Sequence, residues 1–187
     1  MLSALQLLNT SLAAVPVVET ARLRLRGYRA DDLGPSVAMW QEPAYYRYLA
    51  PAPLPTEEIW KTLLRNAGHW AVLGYGFWAV EERATGQLVG CIGFGNFKRE
   101  LLPPLGAAPE IGWVLAPAVH GRGYAAEGVT AALAWGEQHF GPGRTICIIH
   151  PDNEPSLRLA ARFGYREYAR TTYKNEPIVL LERAAAP

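Results

Sequence analysis

Glu110-Ile111-Gly112-Trp113-Val114-Leu115, followed after a short spacer by His120-Gly121-Arg122-Gly123-Tyr124-Ala125, is the stretch on which the fold turns. The first segment is apolar and reads as a strand. Pro117 and Gly121 then bend the chain. From about Tyr124 to Phe140, Val129, Ala132, Leu133, Gly136 and Phe140 recur at helical spacing. Gly141-Pro142 stops that helix. A glycine-spaced turn at a helix start presents unpaired N–H groups and the positive end of the helix dipole, which together suit a phosphate. Neither glycine puts a Cβ in the way of a ligand. A dinucleotide fingerprint is not met, because its first and third glycine positions are His120 and Ala125. No Gly-Lys-Ser/Thr of a nucleotide P-loop is present either.

Upstream, Thr20 to Tyr28 alternates, with Leu23 and Leu25 against Arg22, Arg24 and Arg26, and predicts a half-buried edge strand with a wet arginine face. Asp31-Asp32 caps a helix running to about Glu42, and Thr56-Glu57-Glu58 starts a second that reaches about Trp70. Tyr75 to Glu82 and Gln87 to Asn96 form a hairpin closed at Gly86. A proline-rich loop spans Lys98 to Ala108. Downstream of the long helix, Arg144 to Ile149 predicts a buried strand, Asn153 opens another helix ended by Gly164, and Tyr165–Thr172 and Pro177–Leu181 predict two last strands. The order β-α-α-β-β-β-α-β-α-β-β implies a mixed sheet with helices on both faces. No repeat or linker divides the chain, which predicts one domain over residues 1–187.

With 187 residues, 50% hydrophobic and 19% charged, the chain is of ordinary globular size and composition. A net charge of +1 gives no basic stripe for nucleic acid. The apolar opening, Met1 to Val15, lacks the positive segment of a secretory signal and is too short to span a bilayer. It predicts an N-terminal arm over residues 1–18, suited to a homodimer contact. Cys91 and Cys147 lie inside apolar runs, as reduced, buried thiols of a cytoplasmic protein do. No Cys/His spacing for a metal occurs.

The chain resembles the GNAT acetyltransferase superfamily, and within it the RimJ/RimL-like branch. The resemblance covers about Glu19 to Arg183. It rests on Glu19-Thr20-Ala21-Arg22-Leu23-Arg24-Leu25-Arg26, Gly86-Gln87-Leu88-Val89-Gly90, the Glu110–Leu115 strand, His120–Glu127, Asn153-Glu154-Pro155-Ser156 and Arg162-Phe163-Gly164-Tyr165. It implies an α/β (α+β) fold with a mostly antiparallel, six- to seven-stranded sheet whose fourth and fifth strands splay apart. Acetyl-CoA is the implied co-substrate, with its diphosphate on the amides of Gly121, Arg122, Gly123, Tyr124 and Ala125. The position ahead of the first glycine, often Gln or Arg in that family, is His120. The pantetheine arm is expected along the Trp113 and Leu115 backbone.

Moving an acetyl group from a thioester to an amine requires deprotonating the amine, stabilising the carbonyl oxygen, settling the charge on sulfur and holding both reactants. A strand N–H near Trp113–Leu115 is the natural oxyanion donor. Glu110 is a candidate base, with a structural carboxylate tied to a neighbouring loop as the alternative. The tyrosine that many GNAT enzymes use to protonate sulfur falls at Ala160, whereas the branch's serine falls at Ser156. Ser156 is therefore the candidate acid, against the plainer role of helix capping. Asn153 caps the helix, bonds the coenzyme, or both. His150 and the Tyr45–Tyr48 stretch are candidate walls of the acceptor cleft. The expected activity is direct transfer to a primary amine, either a small amine, an amino acid or a protein N-terminus. A non-catalytic acyl-CoA sensor is the alternative. No metal, nucleic acid or membrane partner is expected.

Overall fold

The computed structural model describes residues 15–184. Residues 1–14 of the expected N-terminal arm lie outside the described residues. Val15 and Val18 pack against the core, and the Trp78 indole donates to the Pro16 carbonyl across 2.8 Å.

In chain order the strands are β1 (Val18–Glu19), β2 (Leu23–Arg26), β3 (Phe77–Glu82), β4 (Leu88–Gly95), β5 (Glu110–Leu115), β6 (Thr145–Ile149), β7 (Arg166–Tyr173) and β8 (Glu176–Arg183). The helices are α1 (Leu33–Trp40), α2 (Pro43–Tyr46), α3 (Thr56–Leu73), α4 (Tyr124–Phe140) and α5 (Glu154–Arg162). The strands form one sheet of eight in the order β1-β2-β3-β4-β5-β6-β8-β7. That is one strand more than the upper bound expected. The addition, β1, is a two-residue pairing of Val18 with Leu25 and Glu19 with Arg24. Two residues carry no alternation for a pattern to reveal.

β1 also takes the sheet edge away from β2, and the expected wet arginine face is corrected there. Arg26 is 5% exposed. Its guanidinium grips both oxygens of Asp32 at 2.8 Å and reaches Glu81 at 2.8 Å. Asp32 also accepts the Arg29 N–H at 2.7 Å, which closes the turn leading into α1. A buried guanidinium is tolerable because both carboxylates face it.

Every pairing in the sheet is antiparallel except β5 with β6. Those two meet in parallel at Glu110 and Ile146 alone, where the Ile146 N–H donates to the Pro109 carbonyl at 3.1 Å. Beyond that point they diverge. On one face, Ile92, Phe94, Ile111 and Trp113 alternate toward α4 and α5, and Gly136 lets α4 lie close over Phe94. On the other face lie Cys91, Gly93, Gly112 and Val114, beside α1 and α3. No helix among the described residues is long and apolar enough to cross a membrane.

Candidate active site

The gap between β5 and β6 is bordered by main-chain groups with nothing opposite them. The Ala116 N–H donates to Val89 on β4 at 2.8 Å, and alternation then turns the peptide groups of Ile111, Trp113 and Leu115 the other way, toward the gap. Pairing to β6 stops at Glu110, so the N–H and C=O of Trp113 are left open. Leu115 is half open. Its carbonyl accepts a bond from His120 Nε2 at 2.9 Å, which, since a carbonyl only accepts, puts the imidazole proton on that nitrogen. The His120 ring thus braces the strand end through Nε2.

A turn at Pro117–Val119 leads into the two glycines. Gly121 and Gly123 take φ values of +73° and +77°, a left-handed conformation that a residue with a Cβ enters at a cost. The result is a nest of N–H groups at the start of α4. The Arg122 N–H, expected among the diphosphate donors, instead turns inward to the Val119 carbonyl at 3.4 Å. Among the described residues, no protein acceptor faces the N–H groups of Gly121, Gly123, Tyr124 or Ala125. The first α4 bond begins only at Glu127, whose N–H donates to Gly123 at 3.0 Å.

The side chain of Glu127 anchors this turn to the β1–β2 end of the sheet. It accepts from the Thr20 hydroxyl at 2.6 Å, and from the Arg22 main chain at 2.8 Å and guanidinium at 2.6 Å. Arg22 and Arg122 lie on the Tyr124 ring at 4.5 and 4.7 Å from its centroid. The Tyr124 hydroxyl donates to Glu82.

Across the gap stands the start of α5. Asn153 Oδ1 accepts the Ser156 N–H at 3.3 Å and so caps the helix. The Ser156 hydroxyl oxygen accepts from the Trp113 indole N–H at 3.3 Å. Of the expected catalytic pair, Ser156 borders the open edge and Glu110 does not. Glu110 is 9% exposed, and both its oxygens are held by Arg99, at 2.8 and 2.9 Å. It sits where β5 and β6 are still paired. Both carboxylate oxygens are thus engaged by a residue of the proline-rich loop, the tie to a neighbouring loop named as the alternative to a base.

His150, at the end of β6, has its ring centroid 5.4 Å from that of Tyr48, and its Nδ1 accepts the Asp152 N–H at 3.1 Å. The Tyr48 hydroxyl donates to the Asp152 carbonyl at 3.0 Å, so the segment after α2 covers the mouth of the gap. Tyr45 packs inward against the core instead. Arg65 and Arg99, which converge on the Phe97 ring, carried no signal in the sequence, because one lies in a helix and the other in a loop.

Open amides at a helix start, a strand edge unpaired toward β6 and a hydroxyl beside that edge together suit a diphosphate-linked thioester. The sequence profile of the acetyltransferase (GNAT) domain matches residues 22–166. The chain belongs to the GNAT acetyltransferase family. Bacillus subtilis YkkB, an uncharacterized protein, is 34% identical over 113 residues, spanning 59% of this GNAT chain and 63% of YkkB, just under two thirds of that relative. A Bordetella pertussis protein assigned to the GnaT acetyltransferases is 31% identical, with a TM-score of 0.79 over 90% of this chain and 99% of that one. The fold alone is shared with RimL, the ribosomal L7/L12 α-N-protein acetyltransferase, solved with coenzyme A. It is 16% identical, with a TM-score of 0.74 over 91% of this GNAT chain and 98% of RimL.

Proposed function

We propose that the protein is an acetyl-CoA-dependent N-acetyltransferase that acetylates a primary amine by direct attack, with both substrates bound together, in the manner of the RimJ/RimL-like branch. The observation that carries this reading is the Trp113–Ser156 contact beside the unpaired edge of β5. An indole N–H can only donate, so it occupies a lone pair of the serine oxygen and leaves the hydroxyl proton free. The hydroxyl stands beside Trp113 at the start of α5, whose dipole favours negative charge.

Acetyl-CoA supplies the activated acyl group. The amides of Gly121, Gly123, Tyr124 and Ala125 bind its diphosphate, with Asn153 and the Trp113 backbone, helped by the Leu115 N–H, directing the arm. A main-chain N–H at this edge stabilises the oxygen as the amine nitrogen bonds to the carbonyl carbon. The carbon–sulfur bond then breaks, and Ser156 gives its proton to the departing sulfur. The amine's excess proton leaves to solvent and the serine recovers one the same way.

Direct attack is also supported by the two thiols. Burial pushes the Cys91 thiol up to about 11 and raises Cys147 further, so neither is a ready thiolate nucleophile. Single-turnover transfer to a panel of primary amines, with Ser156→Ala beside the parent, tests the proposal. Acetylated amine formed by the parent and slowed in the variant is expected. Coenzyme binding with no amine acetylated would overturn it.

A further inference from the structure

Arg65 on α3 and Arg99 in the loop after β4 approach one aromatic ring. Their guanidinium carbons lie 5.4 and 4.7 Å from the centroid of Phe97. Arg99 also lies 4.8 Å from the Tyr173 ring. The place of this cluster relative to the reaction gap is set by packing. Phe97 rests 6.1 Å from Phe77, and the Phe77 ring fills the space a side chain at position 112 would need, with Cζ 2.9 Å from where its Cβ would be. Arg99 meanwhile holds Glu110 on the same strand. The two guanidiniums therefore flank β5 at Glu110–Gly112, on the face opposite the one where Ser156 meets Trp113.

The charges here do not balance. Arg99 has its carboxylate in Glu110, yet among the described residues no carboxylate lies within ion-pair distance of Arg65 or Lys98. Glu100, next in the chain to Arg99, forms no ion pair with any of the three cations. Lys98 and Arg99 line a cavity of about 290 Å³ together with Asn96, Phe97 and Glu110. Desolvation, and after it the charge of Arg99, lowers the pKa of Arg65, as expected for like charges gathered near apolar rings. Arg65 is exposed, so its guanidinium is open to a ligand, and two neighbouring cations on one ring attract an anion between them.

We propose that the acceptor amine carries a carboxylate, and that Arg65 with its cationic surroundings on this face of β5 binds that group. The proposal rests on the N-acetyltransferase reading and narrows its acceptor class. A guanidinium fork matches a carboxylate in two parallel hydrogen bonds. The amine is thereby anchored on one face of β5 while Ser156 attends the leaving sulfur from the other. Polyamines and aminoglycosides, which are polycationic, are disfavoured by the same charges.

Two measurements on the full chain test this. The first is the ratio of kcat/KM for α-amino acids to that for their α-carboxamides, in the parent, Arg65→Gln and Arg65→Lys. The parent is expected to favour the carboxylate by about tenfold or more, the glutamine variant to bring the ratio near one, and the lysine variant to keep part of it. Coenzyme A affinity should stay unchanged in all three. The second is binding of N-acetyl amino acids and their amides to the coenzyme A complex by calorimetry, which needs no turnover. Equal use and equal binding of carboxylate and carboxamide by the parent would overturn the proposal, as would a ratio untouched by Arg65→Gln. If no amine is acetylated while the carboxylate products still bind through Arg65, the transferase reading fails and the anion site stands.

Discussion

The indole N–H of Trp113 and the hydroxyl oxygen of Ser156 meet across 3.3 Å, joining β5 to the start of α5 where β5 is no longer paired with β6. A donor of fixed direction thus orients the Ser156 hydroxyl beside the gap.

Removing that hydroxyl should leave binding intact and slow the chemistry. Ser156→Ala is expected to lower kcat by about 10²-fold, the lower range for loss of a positioned acid. Release of free coenzyme A thiol, followed beside coenzyme A affinity, checks this. A variant with unchanged kcat would remove Ser156 from the chemistry.

Trp113→Phe keeps an aromatic ring and deletes the N–H, so it should cost about three- to tenfold in kcat, the size of one ordinary hydrogen bond. The double variant with Ser156→Ala is expected to be no slower than Ser156→Ala itself, because both act through one hydroxyl. Additive losses would separate the two residues.

Gly123 has φ of +77°. Gly123→Ala forces a Cβ into that conformation at roughly 1 kcal/mol or more, or else the turn rotates and its amides with it. Weakening of coenzyme A binding by about tenfold is expected from calorimetry, with far-ultraviolet dichroism unchanged. Affinity equal to the parent would show that the diphosphate sits elsewhere.

Burial of Glu127 by itself would raise its carboxyl pKa, yet hydrogen bonds from Thr20 and from the Arg22 main chain and guanidinium outweigh it, and the carboxyl lies below its ordinary value of 4.5. A folded-state pKa below the unfolded one stabilises the protein above the unfolded value, and the contribution is lost as pH falls through the folded value. Urea unfolding at a series of pH values should therefore show a loss of stability below about pH 4.5 that Glu127→Gln makes shallower. The variant is also expected to be less stable than the parent at pH 7. An acid limb identical in both proteins would refute the assignment.

Arg26→Met leaves Asp32 without a cation in the core and Glu81 with only the longer Arg24 contact at 3.5 Å. A loss of about 3–5 kcal/mol is expected on urea unfolding, as for other buried pairs broken on one side. A loss below 1 kcal/mol would mean water already screens the triad.

β5 and α4 end where the pattern ends them, at Glu110–Leu115 and Tyr124–Phe140, because a run of apolar residues, a glycine turn and a helical stripe are all local signals. The glycine turn's open amides follow from the same local chemistry. The burial of Arg26 was not legible, since alternation shows only that it shares a face with Arg24. Whether that face meets water depends on α1 and on the carboxylates of Asp32 and Glu81. The bidentate hold of Arg99 on Glu110 was hidden likewise, because a candidate base and a structural carboxylate look identical until the partner is placed.

The sequence by itself determined the order of the longer elements, the glycine turn before α4 and the serine at the start of α5, each a matter of residues within one or two turns of one another. Only the tertiary structure decided which side chains share a space. It brought Trp113 to Ser156, set Arg99 on Glu110, and gathered Arg65 and Arg99 at the Phe97 ring, Arg65 having no carboxylate in ion-pair range among the described residues. Such pairings are settled by how strands twist and helices pack over them, and a charge or hydroxyl acquires its chemistry from the neighbours that packing supplies.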